Sequence, residues 1–348
     1  MRTRAMSAAF HGGVNDEELA ALGYAAADII DLSANLHPDG PPAAVLEAFR
    51  AARVDRYPSI DAAPLRAALA ALHGVSSESV IVTPGASAAI ALAVASLVTP
   101  GDRCAVFPPT FGEYERAIRA VEGIVAPGVA SPPNFEVALP PPSDLAVLCN
   151  PNNPTGRYLA RPEVEAIVER SRHLILDAAY EPFVEESWDA IDLVRDGVPV
   201  VVVHSLTKLF AIPGIRLGYI VALEPIAARL RRRQPPWPVG GPEIAAGCAA
   251  VAMFEERRRT VARILERRAR LEATFAELGV RLSPSRTNFA FADVGDAAAF
   301  RLSMLRHGFL VRDGSSFGLP GWARLSVPAE AEMPRLQRAL IEVLAARQ

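Results

Sequence analysis

Of the 36 lysines and arginines in this 348-residue chain, one is a lysine, Lys208. A guanidinium keeps its charge and binds carboxylate or phosphate at least as well as an ammonium does, so neither an ion pair nor an anion site requires lysine. Losing a proton and attacking a carbonyl does require it: among side chains, only the lysine amine forms a Schiff base with an aldehyde cofactor such as pyridoxal phosphate. Lys208 stands in Ser205-Leu-Thr-Lys208-Leu-Phe-Ala-Ile-Pro-Gly-Ile-Arg216, directly after an apolar run that ends at His204. Three other apolar runs lead into chemically capable groups. One leads to Asp177 in LILDAAYEPF, one to Asn150-Pro-Asn-Asn153-Pro-Thr-Gly156, and one to the turn Thr83-Pro-Gly-Ala86-Ser87. An amine, a carboxylate, an amide and a helix start able to bind an anion thus come from four separate strand ends.

Those runs require an architecture that brings strand ends to one rim. Short runs rich in Val, Ile and Leu alternate with helical patterns from about Ile81 to Ala222, the signature of a parallel sheet covered by helices. The expected strands are Val80 to Thr83, Cys104 to Phe107, Leu145 to Cys149, His173 to Asp177, Val200 to His204 and Leu217 to Val221. Their near-continuous apolar character fits strands buried on both faces. Helices are expected over Ala86 to Val98 and Arg161 to Ser171, the second with Pro162 in its first turn. Ligands in such sheets bind outside the carboxyl ends of the strands. The Pro/Gly-rich segment Gln234 to Pro242 reads as a linker or lid. A long helical region, Glu243 to Leu278, and a smaller α+β unit follow. The expected division is an N-terminal arm over 1–40 that joins the small domain, a large domain over 41–233 and a small C-terminal domain over 234–348.

Composition narrows the class. A net charge of -3 carries no basic excess for nucleic acid, and the run Arg231 to Arg233 reads as a solvated helix face. No stretch is long and apolar enough to span a bilayer. Cys104, Cys149 and Cys248 are far apart in apolar surroundings, which points to buried structural thiols, no metal site, and a reducing, cytoplasmic setting.

In this order and spacing, NPNNPTG, D-x-x-Y and S-x-x-K with an arginine eight residues on resemble the fold-type I pyridoxal-phosphate enzymes of the aminotransferase superfamily. The resemblance implies a large domain with a mostly parallel seven-stranded sheet and a smaller α+β domain. It makes Lys208 the cofactor's covalent anchor and proton carrier, and Asp177 the partner of the pyridine nitrogen, keeping the ring an electron sink. Asn153 and Tyr180 would hydrogen-bond the ring's phenolic oxygen. Ala86 and Ser87 at a helix start, with Ser205, Thr207 and Arg216, would hold the phosphate. Tyr114, in Thr110-Phe-Gly-Glu-Tyr114, matches the aromatic that stacks on the ring, with Phe111 the nearby competitor. Tyr57, in Asp55-Arg-Tyr-Pro58, matches a tyrosine that reaches the neighbouring subunit's phosphate, which implies a homodimer.

The reaction is chosen by whatever orients the substrate's bonds against the ring. Arg324, in Trp322-Ala-Arg-Leu-Ser-Val327, matches the superfamily's carboxylate-binding arginine. His11-Gly-Gly13, Asp31-Leu-Ser-Ala-Asn35 and Val311-Arg312-Asp-Gly-Ser-Ser-Phe317 together resemble threonine-phosphate decarboxylase, the family that makes aminopropanol phosphate for cobalamin. Carried over, the contacts to a phosphorylated amino acid or amine fall on His11, Gly12, Asn35, Asn153, Arg312 and Arg324. Val14 and His37 depart from that family's usual residues. A histidinol-phosphate or related aminotransferase shares the NPNNPTG, R-Y-P and S-L-T-K motifs and is the alternative. A non-catalytic protein that keeps the fold is disfavoured by the intact Lys208, Asp177 and Arg216.

Overall fold

The computed structural model describes residues 12–128 and 130–345. In chain order the strands are β1 (Ile30–Asp31), β2 (Val80–Thr83), β3 (Arg103–Val106), β4 (Ile124–Pro127), β5 (Ser143–Cys149), β6 (Ser171–Asp177), β7 (Val200–Ser205), β8 (Gly218–Ala222), β9 (Phe289–Asp293), β10 (Phe309–Leu310), β11 (Arg312–Asp313) and β12 (Trp322–Ser326). Seven of them form one sheet in the order β2-β8-β7-β6-β5-β3-β4. All neighbours in it are parallel except β8, which runs against both β2 and β7. The six strands expected from sequence are present, and the seventh is β4. Its four residues IVAP are partly exposed on the sheet edge and end in proline, which a sheet tolerates where no further ladder bond is needed.

Alternate residues of the central strands pack on opposite sides. Val147, Ile175, Val201 and Val203 face the helix Ala86–Leu97, while Leu148, Leu176, Val200 and Val202 enter the larger core on the other side. Burial of both faces is why these strands read as unbroken Val/Ile/Leu runs instead of alternating patterns. The helix expected to run from Arg161 to Ser171 ends at Val168, because Ser171 is already paired to Ser143 at the start of β6. It begins where expected, with Pro162 in the first turn and the Glu163 carboxylate accepting from the Ala160 N–H at 2.7 Å.

Beyond β8 the helical region is three helices, Gly241–Ala252, Phe254–Arg259 and Val261–Glu277. The first packs on helices Ala43–Ala51 and Ala63–His73, with Gly247 close against Leu65. None of residues 234–242 in the Pro/Gly segment ahead of it lines this subunit's main cleft. It is tied down elsewhere, since the Trp237 N–H donates to the Ile60 carbonyl at 2.8 Å and its ring lies 4.8 Å from that of Tyr57. Toward the C-terminus, β11, β12 and β9 form an antiparallel sheet. Residue pairs Ile30–Phe309 and Asp31–Leu310 join the N-terminal segment to this part through β1 and β10. Cys104 and Cys149 are buried as expected, whereas Cys248 is only half-buried, on the helix that covers the core's margin. Among the described residues no helix is long and apolar enough to cross a membrane.

Candidate active site

The register of the large sheet lines up the functional strand ends. Cys149 lies opposite Asp177, Asp177 opposite Val203, and Gly218 opposite both Ser205 and Thr83. A cleft of about 570 Å³ opens at this rim between the large sheet, the N-terminal segment and the β11–β12 hairpin. Lys208, Asp177, Asn153, Tyr180, Ala86, Ser87, Tyr114, Ser205, Thr207, Arg216, Gly12, Asn35, Arg312 and Arg324 all line it. One residue singled out from sequence, Tyr57, is not among them. Tyr57 is 80% exposed, away from the cleft, and His11 lies outside the described residues.

Lys208 sits on a four-residue helical turn, Leu206–Leu209, that follows β7 directly. Its carbonyl accepts from the His37 N–H at 3.0 Å, and the His37 ring is bound to Thr260 Oγ1 at 2.7 Å. His37 is buried and does not line the cleft, so this departure from the resembling family supports the lysine turn from behind. Burial lowers the Lys208 amine to about 8, helped by Arg324 and Arg216 and opposed by Asp177. An amine that titrates near 8 keeps a minor neutral fraction at pH 7 that can attack a carbonyl, while its protonated form can carry a proton.

Asp177 is 4% exposed. Its carboxylate accepts from the Tyr114 hydroxyl at 2.7 Å and from the Ala179 N–H at 3.0 Å. Burial pushes its pKa up, against both hydrogen bonds and the Lys208 charge. A carboxyl strained in this way gains most from a cationic N–H partner, which is what a protonated pyridine offers. Tyr114 is fully buried with its hydroxyl committed to Asp177, while Phe111 stands edge-on to it at 5.7 Å on the same wall and is only half-buried. Tyr114 thus donates to the carboxylate, and both aromatic rings line the cleft.

Anion chemistry is built into the opposite corner. The helix Ala86–Leu97 has no side-chain cap at its N-terminus, leaving first-turn N–H groups to a ligand. Gly85 there has φ 89°, and a Cβ on it would meet Arg216 Nη2 at 2.8 Å. A Cβ on Gly218 would meet the Gly85 carbon at 2.6 Å and the Ala86 nitrogen at 2.7 Å, so glycine is what lets β8 press against the helix start. Ser205 Oγ and Thr207 Oγ1, 2.8 Å apart, and Arg216 complete this corner. The whole set fits pyridoxal phosphate: an amine for the aldehyde, a carboxyl for the pyridine nitrogen, and a dipole with hydroxyls and guanidinium for the phosphate.

Across the cleft, Arg312 and Arg324 are directly opposite each other on β11 and β12, 5% and 4% exposed. Like charges directly opposite on paired strands are destabilising. Burial lowers Arg324 to about 10, with Tyr180 opposing and Arg312 adding to the shift. Arg324 donates to Asn153 Oδ1 and the Ser33 carbonyl, both neutral, and its Nε has no partner. With its oxygen engaged, Asn153 keeps an amide N–H to donate. Asn35 donates to the Tyr180 hydroxyl at 3.3 Å, while its own buried Oδ1 has no partner. Buried polar atoms of this kind are costly unless something binds them. Cys149, read from sequence only as a structural thiol, and Ser33, given no role there, also line the cleft; Cys149 directly precedes NPNNPTG, and Ser33 is the serine of Ser-Ala-Asn35.

The model of the aminotransferase class I and II family matches residues 27–342. A histidinol-phosphate aminotransferase of Symbiobacterium thermophilum is 34% identical over 328 residues, 90% of each chain. A threonine-phosphate decarboxylase of Salmonella typhimurium is 32% identical over 352 residues, 96% of each. Among the most similar curated relatives, histidinol-phosphate aminotransferases are in the majority. In three dimensions the chain is similar to the L-threonine-O-3-phosphate decarboxylase of Porphyromonas gingivalis, with a TM-score of 0.79 and 27% identity over 90% of this chain and 99% of that one.

Proposed function

Since the chain belongs to the class I and II aminotransferase family, whose enzymes depend on pyridoxal phosphate, we propose that it decarboxylates O-phospho-L-threonine to 1-amino-2-propanol phosphate, the (R) enantiomer, for cobalamin biosynthesis. The observation that carries this reading is the pair of buried arginines facing each other across β11 and β12. Two guanidiniums at one end of the cleft suit a substrate with both a carboxylate and a phosphate, and the bound anions remove the repulsion between them. The Gly12-Gly13 arm supports it: a Cβ on Gly12 would lie 2.2 Å from the Ser33 oxygen and 3.4 Å from Arg324 Nη2, so the arm reaches the cleft wall only because it is glycine.

Bound pyridoxal phosphate supplies the sink for the electron pair left when a bond to the substrate's α-carbon breaks. The protein decides which bond that is. Arg312 and Arg324 hold the anionic groups, and Asn35 Oδ1 accepts from a substrate donor. Lys208 anchors the cofactor between turnovers. As the bond to the carboxylate breaks and carbon dioxide leaves, the Lys208 ammonium gives its proton to the α-carbon. Asp177, braced by Tyr114, holds the pyridine proton, and Asn153 and Tyr180 take the phenolic oxygen. We assign ring stacking to the aromatic wall of Tyr114 and Phe111, and to His11 a contact with the substrate beyond Gly12.

Purified protein given O-phosphothreonine should release carbon dioxide with no keto acid present. Strict dependence on 2-oxoglutarate would instead establish the second reading, an aminotransferase of the histidinol-phosphate type, which the majority of similar relatives favours. We further propose the division 1–40, 41–233 and 234–348, with Gly241–Ala252 as a bridge. A homodimer is proposed from the exposed patch of Val54, Tyr57, Ile60 and Trp237, which presents Tyr57 to a neighbouring subunit.

A further inference from the structure

A second polar cavity of about 210 Å³ lies beside the cleft and shares Gly12, Gly13, Ser33 and Arg312 with it. Its outer wall carries Glu18, on the six-residue helix Asp16–Ala21, and Arg301, on the helix Ala297–Arg306. The two are ion-paired at 2.8 Å, with side chains 36% and 17% exposed. A helix of six residues has no stability of its own in water, so tertiary contacts must place it. Among the described residues it has two such anchors. Leu19, 1% exposed, fills a small cluster with Ile29, Leu305 and Leu310 that is separate from the main cores. Glu18 then fixes how the helix is turned about that hydrophobic pin. Just before the helix, the Gly13 N–H donates to Ser33 Oγ at 2.8 Å, Ser33 Oγ donates to Asp31 at 2.6 Å, and the Ser33 carbonyl accepts from Arg324. One end of the arm therefore touches the wall that carries Arg324, and the other is latched four residues ahead of Leu305.

We propose that the Glu18–Arg301 pair is a positioning latch that holds the Gly12–Gly13 arm against the cleft, so that it sets the affinity for the phosphorylated substrate without taking part in the chemistry. Glu18 and Asp313 line the same cavity as Arg301 and Arg312 and balance their charge, so the cavity is not a second anion site. The inference rests on the reading of the arm as part of the substrate site.

The test uses the holoenzyme and its variants Glu18→Gln, Arg301→Gln and the double variant. Hydrogen exchange of residues 13–22 is read without substrate, and KM and kcat are read with O-phosphothreonine and with histidinol phosphate plus 2-oxoglutarate. A partly exposed pair of this kind predicts a KM rise of about two- to fivefold at unchanged kcat and unchanged cofactor absorbance. Exchange over residues 13–22 should quicken, and the double variant should be no worse than either single one. Unchanged exchange in both single variants would overturn the latch. So would faster exchange at unchanged KM, or additive losses, which would make Arg301 a direct contact. A wild-type protein active only with histidinol phosphate would overturn the decarboxylase reading instead, and the latch would then be judged on the KM for that substrate.

Discussion

Burial of Lys208 makes a quantitative statement about how the apoprotein takes up its cofactor. Its amine is brought down from 10.5 to about 8, chiefly by desolvation, then by Arg324 and Arg216. Only the neutral amine attacks an aldehyde. With a midpoint near 8 the neutral fraction is about 1% at pH 6, about 9% at pH 7 and about half at pH 8, against about 0.03% at pH 7 for an ordinary lysine. Uptake of pyridoxal phosphate by apoprotein, followed by stopped-flow absorbance at fixed ionic strength, should rise about tenfold from pH 6 to 7 and level off above pH 8.5. Arg324→Gln removes the second-largest cause of the shift, so its plateau should begin at higher pH. A rate still climbing tenfold per unit between pH 9 and 10, or one flat from pH 6 upward, would refute the reasoning. So would an Arg324→Gln profile that moves to lower pH.

The same shift has a stability sign. The folded pKa lies below the unfolded one, so the apoprotein carries a penalty below pH 8 that disappears as pH rises to 10.5. Lys208→Met should therefore stabilise the apoprotein at pH 7 by up to about 3 kcal/mol, with the gain gone near pH 11, as read by urea unfolding. No gain at pH 7 would show that the buried amine is not desolvated. Lys208→Arg should keep the local charge and lose borohydride-stable attachment of the cofactor; a retained attachment would place the covalent anchor elsewhere. Asp177→Ala should keep the fold and cofactor binding but lose about 10²- to 10³-fold in turnover, since a preorganised charge partner is removed; unchanged turnover would assign the pyridine nitrogen another partner. Gly218→Ala should weaken cofactor affinity at least tenfold and cost about 1–3 kcal/mol, because the added methyl meets backbone and not a flexible side chain. A variant that binds the cofactor as tightly as the parent would show that the helix start can yield.

The elements most easily read from sequence are those whose burial is uniform. β5, β6 and β7 are covered on both faces, so their apolar runs announce them, and the residues that follow each run carry the chemistry. β4 escaped notice because an edge strand with half-exposed residues has no such run. The break between Phe254–Arg259 and Val261–Glu277 was also hidden: it falls at Thr260, whose hydroxyl donates to the Arg257 carbonyl and meets the ring of His37, far away in the chain.

Sequence alone determined the class of chemistry. A single lysine among arginines, with its spacing to Arg216 and the two upstream motifs, is a local pattern fixed by what an amine can do and a guanidinium cannot. What only the tertiary structure decided are the pairings between residues distant in the chain. Tyr114 and Phe111 are three residues apart and equally aromatic, and only the fold gives one of them a 2.7 Å hydrogen bond to Asp177. Arg312 and Arg324 stand side by side because strand register sets them opposite each other, and Glu18 meets Arg301 from 283 residues away because two helices dock. Register and docking are settled by packing over the whole core, and packing leaves no mark at the positions it brings together.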